Sequence, residues 1–335
     1  MATARVAAIA HYLPEGTTTF DEIGQNHPDW NVAKLSKSLG ITQLPKSAPD
    51  EFSSHLATEA ARRLLTDNNI DPARVDYILL VTQTPDFPLP TTACLVQEAL
   101  GLRQEIGALD VRLGCSGYVY ALGLAKGLIE SGQSSCLLLL TADVLTKIVN
   151  PDDKSTAPVF GDAGTATLLV AGESGGVGPL VYGTDGEGAG ALVVPCGSIR
   201  PGASLNPEST PEARELASQG YDLYMDGSAV FNFTLTTVPK LVEDTLAAAE
   251  WAKDDVDLYV FHQANSFMLN HLRKKLKISE DKFWVRMGEE GNTGPSTIPL
   301  ALSQAAAEGR LTPDSKVVLA GFGVGLSWAG AAVTW

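Results

Sequence analysis

Short apolar runs bounded by turn residues recur along the chain and alternate with segments whose apolar residues follow helical spacing. Such runs are typical of strands buried on both faces of a sheet. The predicted strands are Tyr77–Val81, Ala108–Val111, Leu137–Leu140, Leu258–Phe261 and Val317–Ala320. The predicted helices are Ser53–Leu65, Thr91–Leu100, Ser116–Ile129, Ser228–Trp251, Asn265–Leu276 and Ser296–Ala307, and prolines predict a loop over Ile199–Tyr221. This alternation predicts an α/β fold in which helices cover parallel sheets.

Two features divide the chain near its middle. The glycine-rich stretch Ala171–Pro179 is typical of a connection rather than of a core element. A small-residue motif also leads into an apolar run twice: Asp162–Gly164 precedes TATLLVAG, and Gly323–Gly325 precedes LSWAGAAVTW. Together these features predict duplicated α/β halves, which comprise residues 1–174 and 175–335.

Composition and charge narrow the function classes. The 335 residues are 44% apolar and 19% charged, which predicts a globular protein with a large core. Lys and Arg number 24 against 39 Asp and Glu, and the net charge of −15 disfavours nucleic-acid and anionic-membrane partners. Neither a signal-peptide pattern nor a run of about 18 apolar residues is present, so no membrane span is predicted. Four cysteines without a C-x-x-C pair argue against zinc, other metal sites and disulfides, and favour a cytoplasmic location: Cys94, Cys115, Cys136 and Cys196.

Cys115 stands at the junction of a predicted strand and a predicted helix, within DVRLGCSGYVYAL. At a helix N-terminus the macrodipole and free N–H groups are expected to favour the thiolate, and Gly114 and Gly117 leave room for a substrate. Cys94 and Cys136 are predicted to be core residues. Cys115 is therefore the candidate nucleophile, with a small buried hydrophobic residue as the alternative.

Two polar side chains occupy other predicted loops. His262 follows directly on the strand LYVF, at a carboxyl end where ligands collect in α/β sheets. Asn292 lies in GNTGPSTIPLAL, a loop that leads into a helix. Taken singly, they are also explained as a buried core histidine and a turn asparagine. Together with Cys115 they predict a nucleophile with two polar partners.

Five segments together resemble the β-ketoacyl-acyl carrier protein synthase III group of the thiolase superfamily, over essentially the whole chain. They are DVRLGCSGYVYAL around Cys115, VFGDAGTATLLV from Val159, HQAN from His262, GNTGPSTIPLAL from Gly291 and GFGVGLSW from Gly321. The resemblance implies a thiolase-like α/β fold with duplicated βαβαβαββ halves in a five-layered α-β-α-β-α arrangement. It also implies a homodimer, because the partner subunit completes the acyl pocket.

By the same resemblance, an acyl-CoA primes Cys115, and a malonyl thioester, on an acyl carrier protein, is decarboxylated and condensed with the acyl group. The product is a 3-oxoacyl thioester. His262 and Asn292 are the decarboxylation pair, whose Nε2–H and amide donate to the enolate oxygen. The backbone N–H groups of Cys115 and Val324 are the expected oxyanion donors. No cofactor is implied, since acyl-CoA is a substrate.

The resemblance also assigns binding residues, with departures. Trp30 is similar to a tryptophan that stacks on the CoA adenine, and Lys154 stands where an arginine commonly flanks the nucleotide. Leu89 matches a residue that crosses the dimer interface and ends the acyl tunnel. Phe267 replaces an arginine that commonly follows HQAN-x, which removes a phosphate or carrier contact. A basic cluster on the helix after HQAN is either a solvated face or a docking surface for an acidic acyl carrier protein: Arg273, Lys274, Lys275 and Lys277.

Three other functions are compatible with these residues. A chalcone-synthase-like enzyme shares the Cys, His and Asn, although such enzymes are usually longer and lack HQAN. An acyltransferase that passes the acyl group to an amine or hydroxyl needs Cys115 and His262 but no enolate donors. A catalytically silent partner subunit needs none of the three. The presence of Asn292 favours condensation.

Overall fold

The computed structural model describes residues 2–173, 175–195 and 222–335. Its strands are β1 Thr3–Tyr12, β2 Gly16–Thr19, β3 Gln43–Lys46, β4 Tyr77–Val81, β5 Gly107–Val111, β6 Cys136–Asp143, β7 Ala163–Gly172, β8 Gly176–Thr184, β9 Leu192–Val193, β10 Tyr224–Met225, β11 Leu258–Phe261, β12 Phe283–Trp284, β13 Lys316–Gly323 and β14 Ser327–Thr334. Its α-helices are α1 Phe20–Asn26, α2 Val32–Leu39, α3 Ser53–Asp67, α4 Thr92–Ala99, α5 Gly117–Glu130, α6 Gly227–Ala249, α7 Ser266–Leu276 and α8 Thr297–Ala307. The predicted loop Ile199–Tyr221 and Cys196 lie outside the described residues.

Two five-stranded sheets repeat one pattern in the described part of the chain. The first has the order β1-β7-β6-β4-β5 and the second the order β12-β11-β13-β14-β8. In the first sheet β4 pairs in parallel with β5 and β6, whereas β7 runs antiparallel to β6 and β1. In the second, β11 pairs in parallel with β12 and β13, whereas β14 runs antiparallel to β13 and β8. This matched topology makes the fold a duplicated, thiolase-like α/β fold.

The sheets are mixed rather than parallel, which corrects part of the sequence prediction. Helices connect the parallel strands, but β13 and β14 are joined by only three residues, 324–326. Such a short connection allows only an antiparallel pair, because a parallel crossover needs a dozen or more residues. The terminal loop that carries Val324 is therefore a tight turn at the end of a buried hairpin.

Helices form three layers around the two sheets. Helices α5 and α8 pack between the sheets, in a core that also contains residues of β4, β6, β11 and β13. Helices α3 and α4 cover the outer face of the first sheet, and α6 and α7 cover that of the second. The order is therefore α-β-α-β-α. Small buried residues of α5 let the helix lie close to both sheets: Gly117, Ala121 and Ala125.

Three local predictions are wrong. The stretch Ala171–Pro179 is not a plain connection, because it contains the end of β7 and the start of β8. Strand β5 is an edge strand whose residues are half-exposed, so Ala108–Val111 is not buried on both faces. Cys94 is exposed on α4, whereas Cys136 is buried as predicted.

The division into residues 1–174 and 175–335 stays a prediction. Among the described helices, none has the length and apolarity to cross a membrane.

Candidate active site

Cys115 lies in the connection from β5 to α5, directly before the N-cap residue Ser116. Its side chain is 5% exposed, and it lines a cavity of about 280 Å³. The other cavity walls are mainly apolar: Leu113, Leu145, Ile148, Phe160, Leu192, Val193, Val194, Leu223 and Val324, with Gly114, Gly294 and Gly325 and the polar residues Gln83 and Arg112. The sulfur is thus buried in the protein but faces an apolar pocket of substrate size.

Two backbone N–H groups lie near the sulfur and favour its anion, those of Cys115 itself and of Val324. These are the two N–H groups that the sequence analysis assigned to the oxyanion. They lower the thiol pKa, but burial and the nearby Asp143 carboxylate raise it to about 12. The expectation that the helix N-terminus favours a resting thiolate is therefore wrong, because desolvation of the anion outweighs the two dipoles. Cys115 is a neutral thiol at rest and needs a base.

The loop that carries Val324 is fixed against Cys115. Ser327 Oγ donates to the Val324 carbonyl at 2.7 Å and lies 2.7 Å from Ser116 Oγ, and both serines are buried. The last residue of β13 also lies close to the sulfur: a Cβ on Gly323 would lie 3.0 Å from Cys115 Sγ. Only glycine leaves room there for both the sulfur and an incoming acyl group.

His262 follows β11 and is 2% exposed. Its Nδ1 lies 2.7 Å from Thr297 Oγ1, and Thr297 Oγ1 lies 3.0 Å from the Gly294 carbonyl. Both contacts are hydrogen bonds at once only if Nδ1–H donates to the hydroxyl and the hydroxyl donates to the carbonyl. Burial lowers the His262 pKa to about 3. The ring is therefore neutral, with a bare Nε2 that can accept a proton.

Asn292 is 5% exposed and lies where the two halves meet. Its backbone N–H donates to the Val159 carbonyl, and its carbonyl accepts from the Gly161 N–H. The side-chain Oδ1 accepts from the Gly294 N–H at 3.0 Å. This bond fixes the amide orientation. The Nδ2 group then remains as a donor, with no acceptor among the described residues.

Gly294 links the three candidate catalytic residues. Its N–H is bound by Asn292, its carbonyl is joined to His262 through Thr297, and it lines the same cavity as Cys115. The glycine has φ +61°, and a Cβ there would lie 2.9 Å from Asp143 Oδ2. A side chain is therefore excluded both by backbone conformation and by space.

A second cavity, of about 240 Å³, adjoins the first and shares Phe160 as a wall. Its outer lining includes His27, whose ring stacks on Trp30 with the centroids 4.0 Å apart. Lys154 Nζ lies 6.0 Å from the Trp30 ring centroid. The structure thus places Trp30 and Lys154 together, and it adds His27, which the sequence analysis did not identify.

The remaining predicted binding residues lie on the surface. Leu89 is 86% exposed and lines neither cavity within this chain. Phe267 is 51% exposed and packs against Phe231 and His271. Of the basic cluster on α7, Arg273 is mostly buried and lies 3.8 Å from a Glu280 oxygen, whereas the lysines are exposed: Lys274, Lys275 and Lys277.

The residues that support the site were not predicted from the sequence. No sequence motif identifies Thr297, Ser327 or Asp143 as a reactive residue. Gln83 follows a predicted strand, but no motif surrounds it. Only their positions carried a signal: Thr297 and Ser327 each follow a candidate residue within five positions. Asp143 is distant in sequence from everything it supports, so only the fold reveals it.

Comparisons with known proteins show to which family the chain is similar. Residues 109–186 match the family model for 3-oxoacyl-[acyl-carrier-protein (ACP)] synthase III, and residues 246–335 match the model for its C-terminal part. The chain is 35% identical, over 99% of each protein, to a β-ketoacyl-[acyl-carrier-protein] synthase III of Lactococcus lactis subsp. cremoris. A crystal structure described as 3-oxoacyl-(acyl-carrier-protein) synthase III is 44% identical, with a TM-score of 0.93 over 99% of this chain and 100% of that one. A 3-oxoacyl-(acyl-carrier protein) synthase of Burkholderia xenovorans is 35% identical, with a TM-score of 0.92 over 100% and 95%.

Proposed function

Since the chain belongs to the β-ketoacyl-acyl carrier protein synthase III family of condensing acyltransferases, we propose that an acyl-CoA primes Cys115 and that malonyl-acyl carrier protein extends the acyl group. The single observation that carries the residue assignment is the position of Gly294. It connects Asn292 and His262 by hydrogen bonds and lines the cavity that contains the Cys115 sulfur. This connection supports the proposal that a nucleophile, a base and an amide donor act at one buried site.

The acylation step follows from the neutral states of the Cys115 thiol and the His262 ring. As Cys115 Sγ attacks the thioester carbonyl, His262 Nε2 accepts the thiol proton, because the ring already donates through Nδ1 to Thr297. The developing oxyanion is held by the N–H groups of Cys115 and Val324, which already point to this region. The carbon–sulfur bond to CoA then breaks, and the CoA thiolate leaves with the proton from His262.

The condensation step needs donors for an enolate. Loss of CO₂ from the malonyl group leaves an electron pair that forms an enolate, whose oxygen accepts from Asn292 Nδ2–H. For His262 to donate through Nε2–H, the ring must adopt its other tautomer, and the Thr297 hydroxyl permits this because it can donate to Nδ1 instead. The enolate carbon attacks the acyl carbon, a carbon–carbon bond forms, and the Cys115 thiolate leaves and takes up a proton from solvent, which replaces the proton that left with CoA.

A product analysis tests this function. The protein incubated with an acyl-CoA panel and malonyl-acyl carrier protein is expected to release CO₂ and to form a 3-oxoacyl-acyl carrier protein two carbons longer than the primer, detected by intact mass. A control with acetyl-acyl carrier protein in place of the malonyl form removes the decarboxylation. Transfer of the acyl group to an amine or hydroxyl without CO₂ release would contradict condensation.

For CoA, the supporting observations are the Trp30–Lys154 pair and the second cavity. An aromatic face flanked by a cation suits an adenine with its phosphate groups. The second cavity extends from His27 to Phe160, and Phe160 also lines the cavity that contains Cys115. A pantetheine arm bound along this line would bring its thioester to the sulfur. Phe160 would have to shift for the two cavities to join.

The exposed lysines of α7 are the proposed docking surface for the acidic carrier protein. Charge reversal in Lys274→Glu/Lys275→Glu is expected to lower kcat/KM for malonyl-acyl carrier protein about tenfold, while that for malonyl-CoA changes less than twofold, because only the carrier protein spans this surface. Lys253→Glu changes an exposed lysine that precedes β11, whereas α7 follows this strand, and it serves as the control. Equal losses with both extenders would remove the docking role.

A homodimer fits the exposed residues of the first half. Leu89 and Phe87 are large apolar side chains exposed at 86% and 52% on one loop, and the nearby edge strand β5 exposes Leu109 at 45%. Exposure of such an apolar patch to water is unfavourable in a monomer, and patches of this kind are typical of subunit interfaces. In the proposed dimer Leu89 enters the acyl pocket of the other subunit. A cytoplasmic location suits an enzyme that uses acyl-CoA and a free thiol.

A further inference from the structure

We propose that the pocket beside Cys115 selects an acyl group with a hydroxyl close to its thioester carbonyl, and that the Gln83 side chain recognises this hydroxyl. The inference rests on the proposed function, since it concerns the acyl group carried by Cys115. Among the described residues that line the cavity, Gln83 and the exposed Arg112 carry amide or charged side chains. A Gln83 amide oxygen without a donor would be an unfavourable neighbour for a plain alkyl chain.

The orientation of the Gln83 amide is fixed by a buried carboxylate. Asp143 is fully buried at the end of β6, and its oxygens lie 2.7 Å from Gln83 Nε2 and 2.7 Å from the Gln83 backbone nitrogen. The hydroxyl of Thr82 and the N–H and hydroxyl of Thr84 supply further bonds of 3.0–3.1 Å. Burial raises the Asp143 pKa to about 6, so the group is mainly a carboxylate at neutral pH. A carboxylate only accepts, and the Gln83 NH₂ must therefore face it.

The amide oxygen consequently faces the cavity. A Cβ added to Gly114 would lie 2.3 Å from Gln83 Oε1 and 2.4 Å from a methyl carbon of Val324. The oxygen thus lies next to the residue that precedes the nucleophile and next to the loop with the second oxyanion donor. No described residue donates a hydrogen bond to it. The oxygen is therefore available to a donor on the bound acyl group, near its thioester end.

A hydroxyl fits the Gln83 oxygen, because it can donate to an amide oxygen that accepts from no described residue. Arg112 also lines the cavity, but it is an exposed residue, so the recognition is assigned to Gln83. A carboxylate in the same place would face the Gln83 oxygen and the Asp143 charge behind it, both of which disfavour an anion. The rest of the lining is apolar and suits the carbon chain.

The test compares matched acyl-CoAs on the whole enzyme. Single-turnover acylation of Cys115 is followed by intact mass with butyryl-CoA and with each enantiomer of 3-hydroxybutyryl-CoA, which differ by one hydroxyl. We expect one hydroxyacyl enantiomer to react with a kcat/KM about tenfold above that of butyryl-CoA, the scale of one hydrogen bond at a partly buried site. Gln83→Leu, of similar volume, is expected to remove this difference. Leu192→Met, on the same cavity, is the matched control and is expected to keep it.

The outcomes separate the two proposals. If no acyl-CoA acylates Cys115, the proposed function fails, and the hydroxyl inference fails with it. If Cys115 is acylated but butyryl-CoA reacts as fast as both hydroxyacyl-CoAs, the inference alone is overturned. A preference that persists unchanged in Gln83→Leu overturns the role of Gln83. The comparison on the wild-type protein decides the substrate class even if Gln83→Leu proves unstable.

Discussion

Replacement of Cys115 by alanine is expected to abolish both acyl-enzyme formation and condensation. The sulfur is the only nucleophile of the described cavity lining, and the two N–H groups that would hold the oxyanion point to it. Loss of the nucleophile therefore removes the covalent step entirely, with residual turnover at least about a thousandfold below the wild type. Intact mass after incubation with acyl-CoA, followed by peptide mapping, measures the adduct directly.

Two cysteine variants serve as controls for this experiment. Cys136→Ala removes a buried sulfur in β6, and Cys94→Ala removes an exposed one. Both are expected to retain the adduct on the Cys115 peptide, and Cys136→Ala additionally shows how much a buried cysteine contributes to folding. An adduct on any other cysteine, or a Cys115→Ala protein that still condenses, would contradict the assignment of Cys115.

The fold was largely predictable because its strands and helices are strongly patterned. Strands β4, β6 and β11 are short apolar runs, and buried helices such as α5 show regular apolar spacing, so their bounds agree within three residues. The edge strand β5 shows the limit of this reasoning. Its residues are apolar like those of a central strand, yet they lie at a sheet edge where only the tertiary arrangement decides exposure.

The site was predictable only where a residue stands at the end of an element. Cys115 and His262 follow strands, and their neighbourhood was inferred from that position. The pKa of Cys115 was not, because it depends on burial and on the Asp143 carboxylate, which lies 28 positions further along the sequence. The hydrogen-bond chain from His262 through Thr297 to Gly294 likewise depends on distances that no sequence pattern contains. The residues that surround Cys115 and His262 therefore set the protonation states of these two side chains.

Asn292→Ala is expected to separate the two half-reactions. Acylation of Cys115 should continue at a rate within a few-fold of the wild type, since it uses His262 and the two backbone donors. Decarboxylation of the malonyl thioester should fall about a hundredfold, which corresponds to the loss of one enolate donor. Intact mass gives the first rate, and CO₂ release from malonyl-acyl carrier protein gives the second.

A second substitution distinguishes the amide donor from its structural role. Asn292 Oδ1 also binds the Gly294 N–H, so alanine removes a support of the loop as well as a donor. Asn292→Asp keeps an oxygen for the Gly294 N–H but replaces the NH₂ with an acceptor that repels an enolate. If the donor matters, the aspartate variant is impaired in decarboxylation at least as strongly as the alanine variant. Near-normal decarboxylation in the aspartate variant would show instead that Asn292 acts by holding Gly294, because the aspartate keeps the oxygen that binds the Gly294 N–H and loses the NH₂ donor.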